Sequence, residues 1–151
     1  LQKYLQEGNQ VLDVGCGSGI LSIVALKLGA QHVVGTDIDE DCIASSYDNF
    51  AVNHLDKSLG DFYVGNLIDD EALQDKVGKE KYDVVVANIL ADIIIPMAPA
   101  LAASMKPGAK LITSGIIDFK EQEVADALIA AGLQVVESNA QGEWRNITAC
   151  K

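Results

Sequence analysis

The sequence predicts an α/β fold: a doubly wound, mostly parallel seven-stranded sheet with helices on both faces and a C-terminal antiparallel hairpin. Three observations favour this class. Short strand-like runs alternate with helical stretches, as in βαβ units. The run YDVVVA is apolar almost throughout, which is typical of a strand buried on both faces. The last two strand-like runs are separated only by QG, and this spacing predicts a hairpin.

The first half of the chain is predicted to supply three strands and two helices. In order, they are a strand at Gln10–Val14, a helix from about Ser18 to Leu28, a strand at His32–Thr36, a helix from Asp39 to about Asn53 and a short strand at Asp61–Val64. Asp39 is the expected N-cap of the second helix, because a carboxylate there can accept a hydrogen bond from a free N–H of the first turn.

The second half is predicted to add four strands. They are Tyr82–Ala87, a fifth strand within KPGAKLITSG, Gln134–Ala140 and Glu143–Cys150. The helical stretch after Tyr82–Ala87 contains Pro96 and Pro99, so we expect it to break there and restart with proline in a first turn. Asp118 and Glu121 have the spacing of a capping box and predict a last helix reaching about Ala131.

Length, charge and cysteine content limit the possible functions. A chain of 151 residues fits one domain covering residues 1–151. With 11 basic and 22 acidic residues the net charge is −11, which disfavours nucleic acid and favours a cationic partner. Three scattered cysteines predict neither a disulfide framework nor a zinc site, so we expect a reducing cytoplasm and no metal. The most apolar stretch is too short to cross a bilayer.

The segment VLDVGCGSGIL, residues 11–21, predicts a ligand site after the first strand. Its glycines, Gly15, Gly17 and Gly19, let a ligand approach the main chain closely. A dinucleotide-binding loop would place its third glycine at position 20, where the chain has Ile20. Asp13 puts a carboxylate beside the turn, which repels phosphate and suits an ammonium group. The pattern therefore disfavours a pyrophosphate ligand.

Asp37 ends the second strand, twenty residues beyond Gly17, where a carboxylate can accept hydrogen bonds from both ribose hydroxyls. The predicted ligand is thus a nucleoside that carries an amine rather than a phosphate. Structural alternatives exist for each carboxylate: Asp37 or Asp39 would cap the next helix, and Asp13 would form a turn. Cys16 fits a small side chain in a tight loop better than a reactive thiol.

At this point the sequence resembles the class I methyltransferases, Rossmann-like enzymes that use S-adenosylmethionine. The resemblance implies that the three glycines line the methionine moiety, with Cys16 in the same loop, and that Asp13 holds its ammonium directly or through water. It implies that Asp37 binds the ribose and that Ile38 packs against the base. In GNLIDD, Asn66 and the Leu67 main chain stand where such enzymes contact adenine, although Gly-Asn is also an ordinary turn pair.

The segment ANILAD, residues 87–92, follows the fourth strand, where many N-methyltransferases carry Asn/Asp-Pro-Pro-Tyr/Phe. Together with LITSGIID after KPG, this departure resembles the bacterial methyltransferases of large-subunit ribosomal protein eleven. The resemblance implies Asn88 and Ile89 as catalytic residues, with Asn88 also near the cofactor. The Asn88 oxygen and nearby main-chain carbonyls would accept hydrogens from a neutral amine; alternatively, Asn88 caps the following helix.

This resemblance implies methylation of a lysine side chain or N-terminal amine of a basic ribosomal protein. The family's N-terminal substrate-recognition domain and its Phe-Gly-Thr-Gly-Thr-His stretch have no counterpart here, so we expect the catalytic domain alone. The alternatives are a small-molecule or RNA amine acceptor, a nicotinamide-dependent oxidoreductase and a non-catalytic cofactor-binding module. Trp144 either borders the acceptor cleft or serves packing.

Overall fold

A single seven-stranded sheet organises the computed structural model, which describes all residues 1–151. The strands are β1 (Gln10–Val14), β2 (His32–Asp37), β3 (Gly60–Val64), β4 (Tyr82–Asn88), β5 (Met105–Ile117), β6 (Gln134–Gln141) and β7 (Trp144–Cys150). The helices are α1 (Ile20–Lys27), α2 (Glu40–Val52), α3 (Glu71–Val77), α4 (Ala91–Ser104) and α5 (Glu121–Ala130). The predicted α/β class and the seven strands are confirmed.

The strand order is β3-β2-β1-β4-β5-β7-β6. The first five strands in this order pair in parallel, whereas β7 is antiparallel to both β5 and β6. The predicted C-terminal hairpin is therefore present. Strand β7 lies between β5 and β6, and β6 forms the edge of the sheet. The chain winds in opposite directions from β1, so the ends of β1 and β4 form a switch point where open α/β sheets bind ligands.

Two apolar layers cover the faces of the sheet. The larger contains 24 buried residues and packs α3, α4 and α5 against one face. The smaller contains 10 buried residues and packs α1 and α2 against the other. Strand β1 contributes to both, because Leu12 and Val14 point into the larger layer and Val11 into the smaller one.

Helix α4 runs without a break through Pro96 and Pro99, so the predicted interruption is wrong. Both prolines lie on the exposed face of the helix. The carbonyls that lose an N–H partner there can be hydrated, so the usual cost of interior proline is reduced. The opposite face of α4 is deeply buried, with Ile94 and Leu101 fully inaccessible, and its packing stabilises the continuous helix.

The helix caps agree only in part with the prediction. The Asp39 carboxylate accepts from Asp41 N at 2.9 Å and caps α2, as expected. The capping box at Asp118 and Glu121 is wrong: residues 118–120 form a 3-10 turn, and α5 begins without a side-chain cap. Helix α3 was not predicted, and α1 begins at Ile20, two residues later than expected.

None of the five helices combines the length and apolar character that a membrane span requires. No group of three or more His, Cys, Asp or Glu side chains is arranged to hold a metal ion.

Candidate functional site

A cavity of about 290 Å³ lies at the carboxyl ends of the parallel strands. Six of the residues singled out from the sequence line it: Gly15, Asp37, Ile38, Asn66, Leu67 and Ile89. They lie at or just after the carboxyl ends of β1, β2, β3 and β4. The register explains this convergence, because Val14 pairs with both Thr36 of β2 and Ala87 of β4. The predicted crevice is therefore a single site.

Gly15, the first glycine of the loop, lines the cavity with bare main chain, whereas Gly17 and Gly19 do not line it. Gly15, Gly17 and Gly19 all have positive φ, at 69°, 56° and 84°. A Cβ on Gly15 would collide with Cγ2 of Ile89, so a larger residue would force the loop and the end of β4 apart. Hydrogen bonds to β2 also fix the loop, since Gly15 N and Cys16 N both donate to Thr36 O, at 2.8 and 3.0 Å.

The Asp37 carboxylate is fixed at the edge of the cavity. Its Oδ2 accepts from Gly17 N and its Oδ1 from Asp39 N, both at 3.0 Å. Each carboxylate oxygen can accept a second hydrogen bond, so both keep a site for a ligand hydroxyl. Asp37 is thus a preorganised acceptor pair suited to a vicinal diol. The alternative capping role falls to Asp39, which caps α2.

Asp13 lies behind the loop rather than in the cavity. Its side chain is 1% exposed, and its Oδ2 accepts from Ser22 Oγ of α1 at 2.7 Å. The direct ammonium contact that the sequence suggested is therefore absent from this geometry. The alternation of side chains along β1 could have predicted this burial. Asp13 shares the face of Val11, which points towards α1.

Burial gives Asp13 a testable pH signature. It raises the pKa of this carboxyl from 3.8 to about 6. The folded state therefore favours the protonated form of Asp13. The contribution of this group to the free energy of unfolding is complete below about pH 4 and is lost as the pH rises through about 6. We expect this group alone to lower the free energy of unfolding by about 1 to 3 kcal/mol across that interval. Denaturant titrations at several pH values measure it.

The control for this prediction is Asp13→Asn, which keeps an oxygen acceptor for Ser22 but cannot ionise. Other carboxylates titrate in both proteins, so the difference between the two stability curves isolates Asp13. Parallel curves for wild type and variant would show that Asp13 does not titrate in this range.

Cys16 also lies beneath the loop. It is 7% exposed and packs in the smaller apolar layer, with its Sγ 3.8 Å from Ser46 Oγ. Burial raises the pKa of the Cys16 thiol to about 12, so the reactive thiolate is strongly disfavoured. Gly19 is likewise outside the cavity, and a Cβ at this position would crowd Ser46. These two loop residues serve the shape of the loop.

The segment after β3 presents main chain to the cavity. Asn66 Oδ1 accepts from Ile68 N at 3.0 Å, which is the turn role that the sequence left open. The Leu67 carbonyl accepts from Gln74 Nε2 at 2.9 Å. Leu67 lines the cavity, and its N–H donates to no protein acceptor.

Asn88 ends β4 at the mouth of the cavity, next to Ile89. Its side chain is exposed, and its Oδ1 lies over Gly115 of β5. The capping alternative is not observed, because Leu90 holds the N-cap position of α4 and no side chain caps it. Ile89 contributes an apolar side chain to the cavity wall and packs over Gly15.

Four apolar residues of the cavity were not identified as site residues from the sequence: Val14, Ile68, Ile93 and Met97. Ile93 and Met97 are four residues apart and share one face of α4. The wrong expectation of a break at Pro96 concealed this spacing. Another cavity lies beside Asn88 and is lined by Ser114, Gly115 and Trp144 among others.

The sheet order, the glycine loop after β1 and the carboxylate at the end of β2 define the Rossmann-like fold of S-adenosylmethionine-dependent methyltransferases. A solved S-adenosylmethionine-dependent methyltransferase from Aquifex aeolicus shares this fold, with a TM-score of 0.78 at 19% identity over 97% of this chain and 84% of that one.

The family model for ribosomal protein L11 methyltransferase (PrmA) matches residues 1–151. The chain therefore belongs to this family. It is 68% identical over 154 residues to a ribosomal protein L11 methyltransferase from Agathobacter rectalis, a match that covers 100% of this chain and 48% of that protein. The crystal structure of a ribosomal protein L11 methylase from Lactobacillus delbrueckii subsp. bulgaricus is 30% identical, with a TM-score of 0.86 over 98% of this chain and 72% of that one. The chain thus spans about half the length of the curated relatives it matches.

Proposed function

We propose that this chain is an S-adenosylmethionine-dependent N-methyltransferase that methylates lysine or N-terminal amines of ribosomal protein L11. The single observation that carries the proposal is the placement of Gly15, Asp37 and Ile89 in one cavity, with Asn88 next to Ile89 at its mouth, in a chain of the L11 methyltransferase family. Residues 1–151 would act as one cofactor-binding unit, working in the cytoplasm where ribosomal proteins are found.

The residues of the cavity fit S-adenosylmethionine. Gly15 lines the cavity without a side chain, so a ligand could approach its main chain closely. Asp37 would bind the ribose diol and supply negative charge near the cationic sulfonium. The exposed Ile38 side chain would cover the base, and the free Leu67 N–H would donate to it. Asn66 would contribute through its turn, with its side-chain amide left to contact the base.

Two loop residues would support the methionine end indirectly. Asp13 would act through water or through its field from beneath the loop, because its side chain is inaccessible. Gly17 N is held by Asp37, so the ribose acceptor and the methionine wall form one rigid unit.

When bound, S-adenosylmethionine supplies a methyl group that its sulfonium makes electrophilic. The chain must therefore align a neutral amine and exclude water. An amine of lysine has an ordinary pKa of about 10.4, so it attacks only after losing a proton. Asn88 Oδ1 would accept one of the remaining amine hydrogens and aim the lone pair, with the Ile89 main chain nearby. Ile89, Ile93 and Met97 provide the apolar wall that limits access of water.

The charge around the crevice supports a basic, lysine-rich acceptor. Helices α2, α3, α4 and α5 all carry acidic residues in their first turns, which lie at the carboxyl edge of the sheet. Two cations of this region are already paired: Lys120 contacts Asp92 at 3.3 Å, and Arg145 contacts Glu121 at 3.2 Å. An anionic edge of this kind attracts cationic protein and repels RNA and anionic membrane surfaces.

The test combines binding and transfer. Calorimetric titration should show one site for S-adenosylmethionine and no competition by NAD. Incubation with methyl-labelled cofactor and purified L11, followed by mass spectrometry, should show methyl groups on L11 amines. Absence of cofactor binding, tight NAD binding, or transfer only to RNA or small amines would each refute the proposal.

A further inference from the structure

Three large apolar side chains are exposed at the edge of the crevice, and one of them, Ile93, also lines its cavity. Leu90 is 64% exposed, Ile93 37% and Phe119 73%. We call these three residues the apolar rim. Single exposed apolar residues are common, but neighbouring ones beside a cleft mark interaction sites.

The rim is built from two segments that an ion pair ties together. Leu90 and Ile93 belong to the first turn of α4, where Ile93 N donates to Leu90 O at 3.0 Å. Phe119 lies in the 3-10 turn between β5 and α5. Lys120, next to Phe119, contacts Asp92, which lies between Leu90 and Ile93 in sequence, at 3.3 Å. The ion pair therefore holds the Phe119 turn against the start of α4.

The rim adjoins the point of transfer. Leu90 is two residues beyond Asn88, and Ile93 also lines the cofactor cavity. A polypeptide whose lysine reached Asn88 would pass close to Leu90, and the Lys120–Asp92 ion pair brings the Phe119 turn to the same end of α4. The rim therefore lies where residues flanking the methylated lysine would fall.

The charges beside the rim indicate what it binds. Asp92, Asp118 and Glu123 are exposed carboxylates in the same two segments. The cation among them, Lys120, is engaged by Asp92 and Glu123 at 3.3 and 3.5 Å. A second copy of this strongly acidic chain would bring like charges together, whereas a basic segment would neutralise them.

We propose that the apolar rim docks the acceptor protein through an aliphatic residue adjacent to the methylated lysine, within a segment that carries further basic residues. This inference rests on the proposed function and adds a sequence preference for the acceptor. The aliphatic side chain would pack on Phe119 and Leu90, and the extra lysines would face the surrounding carboxylates.

The test compares two dodecapeptides that carry a central lysine and two outer lysines and differ only beside the central one, with leucine or serine. Binding is titrated directly, in the presence of S-adenosylhomocysteine. We expect the leucine peptide to bind wild type about fivefold to tenfold more tightly, and Phe119→Ser to abolish that difference. Leu90→Ser should reduce it. The matched control is Ile129→Ser, because Ile129 is 56% exposed on α5 and outside the rim.

The outcomes separate the two proposals. Equal binding of both peptides by wild type, or an equal loss in Ile129→Ser, would overturn the docking proposal even if methyl transfer to L11 is observed. A discrimination lost only in the rim variants would support it, and cofactor affinity should stay unchanged in all three. Sedimentation supplies a further check: a wild-type dimer that Phe119→Ser dissociates would assign the rim to self-association instead. Failure of the proposed function would appear separately, as missing cofactor binding or methyl transfer.

Discussion

Asp37→Ala is expected to weaken binding of S-adenosylmethionine by about a hundredfold to a thousandfold, or about 3 to 4 kcal/mol. The substitution removes both carboxylate acceptors available to the ribose diol. It also releases Gly17 N, which Asp37 Oδ2 holds at 3.0 Å, and so loosens the wall that faces the methionine. Charge-assisted hydrogen bonds are stronger than neutral ones, so no water or neighbouring carbonyl compensates fully. Calorimetric titration of both proteins measures the change.

Asp39→Ala is the matched control for this prediction. Asp39 is a carboxylate two residues away, but it caps α2 and does not line the cavity. Its loss should cost about 1 kcal/mol of stability while cofactor affinity stays nearly unchanged. Thermal unfolding of both variants separates a folding defect from a binding defect. Similar cofactor affinities in wild type and Asp37→Ala would remove Asp37 from the site.

The elements that the sequence predicted well are those whose signal is local. Strand β4 is apolar over Val84–Ala87 and is buried on both faces, so its pattern alone specifies a central strand. The hairpin of β6 and β7 follows from the two-residue spacing between them. Helix α3 has only seven residues in a charged segment, too short for a clear helical period, and was missed.

Where local sequence preferences predicted the wrong structure, tertiary packing determined the outcome. Pro96 and Pro99 lie on the exposed side of α4, and the burial of the other side outweighs their local cost. Asp118 has the spacing of a helix cap, but its Oδ1 accepts from Phe119 N within a 3-10 turn. Such outcomes depend on which face of each element meets the core, which propensity does not record.

The residues of the candidate site also differ in whether a local sequence pattern could predict them. Gly15 and Asp37 were predictable because the ends of parallel strands converge, whatever the details of packing. The burial of Asp13 and the wall formed by Ile93 and Met97 depended on the faces of β1 and α4. Ser46 and Asn49, which bind the main chain of Gly17 and Ser18, carried no distinguishing pattern in the sequence.

Asn88→Ala is expected to lower the rate of methyl transfer by about a hundredfold or more, the effect of losing alignment of the reacting groups. Affinity for S-adenosylmethionine should change by less than about twofold, because the side chain is exposed at the mouth and lies outside the cavity lining. Single-turnover rates at saturating acceptor, together with calorimetric titration, distinguish these two quantities. A variant that transfers methyl groups at the wild-type rate would exclude Asn88 from catalysis.

Asn88→Asp distinguishes an acceptor role from a purely structural one. Aspartate keeps an oxygen where the amine hydrogens would bind and nearly the same volume, so it should recover part of the rate that alanine loses. Asn88→Leu also preserves the volume but lacks the acceptor, so it should remain as slow as the alanine variant. If leucine restored the rate as well as aspartate, Asn88 would act by filling space over Gly115, against which its Oδ1 lies. Recovery by aspartate alone would instead show that a polar oxygen acceptor, rather than filled volume, is what the reaction needs at this position, because leucine has a similar size and no acceptor.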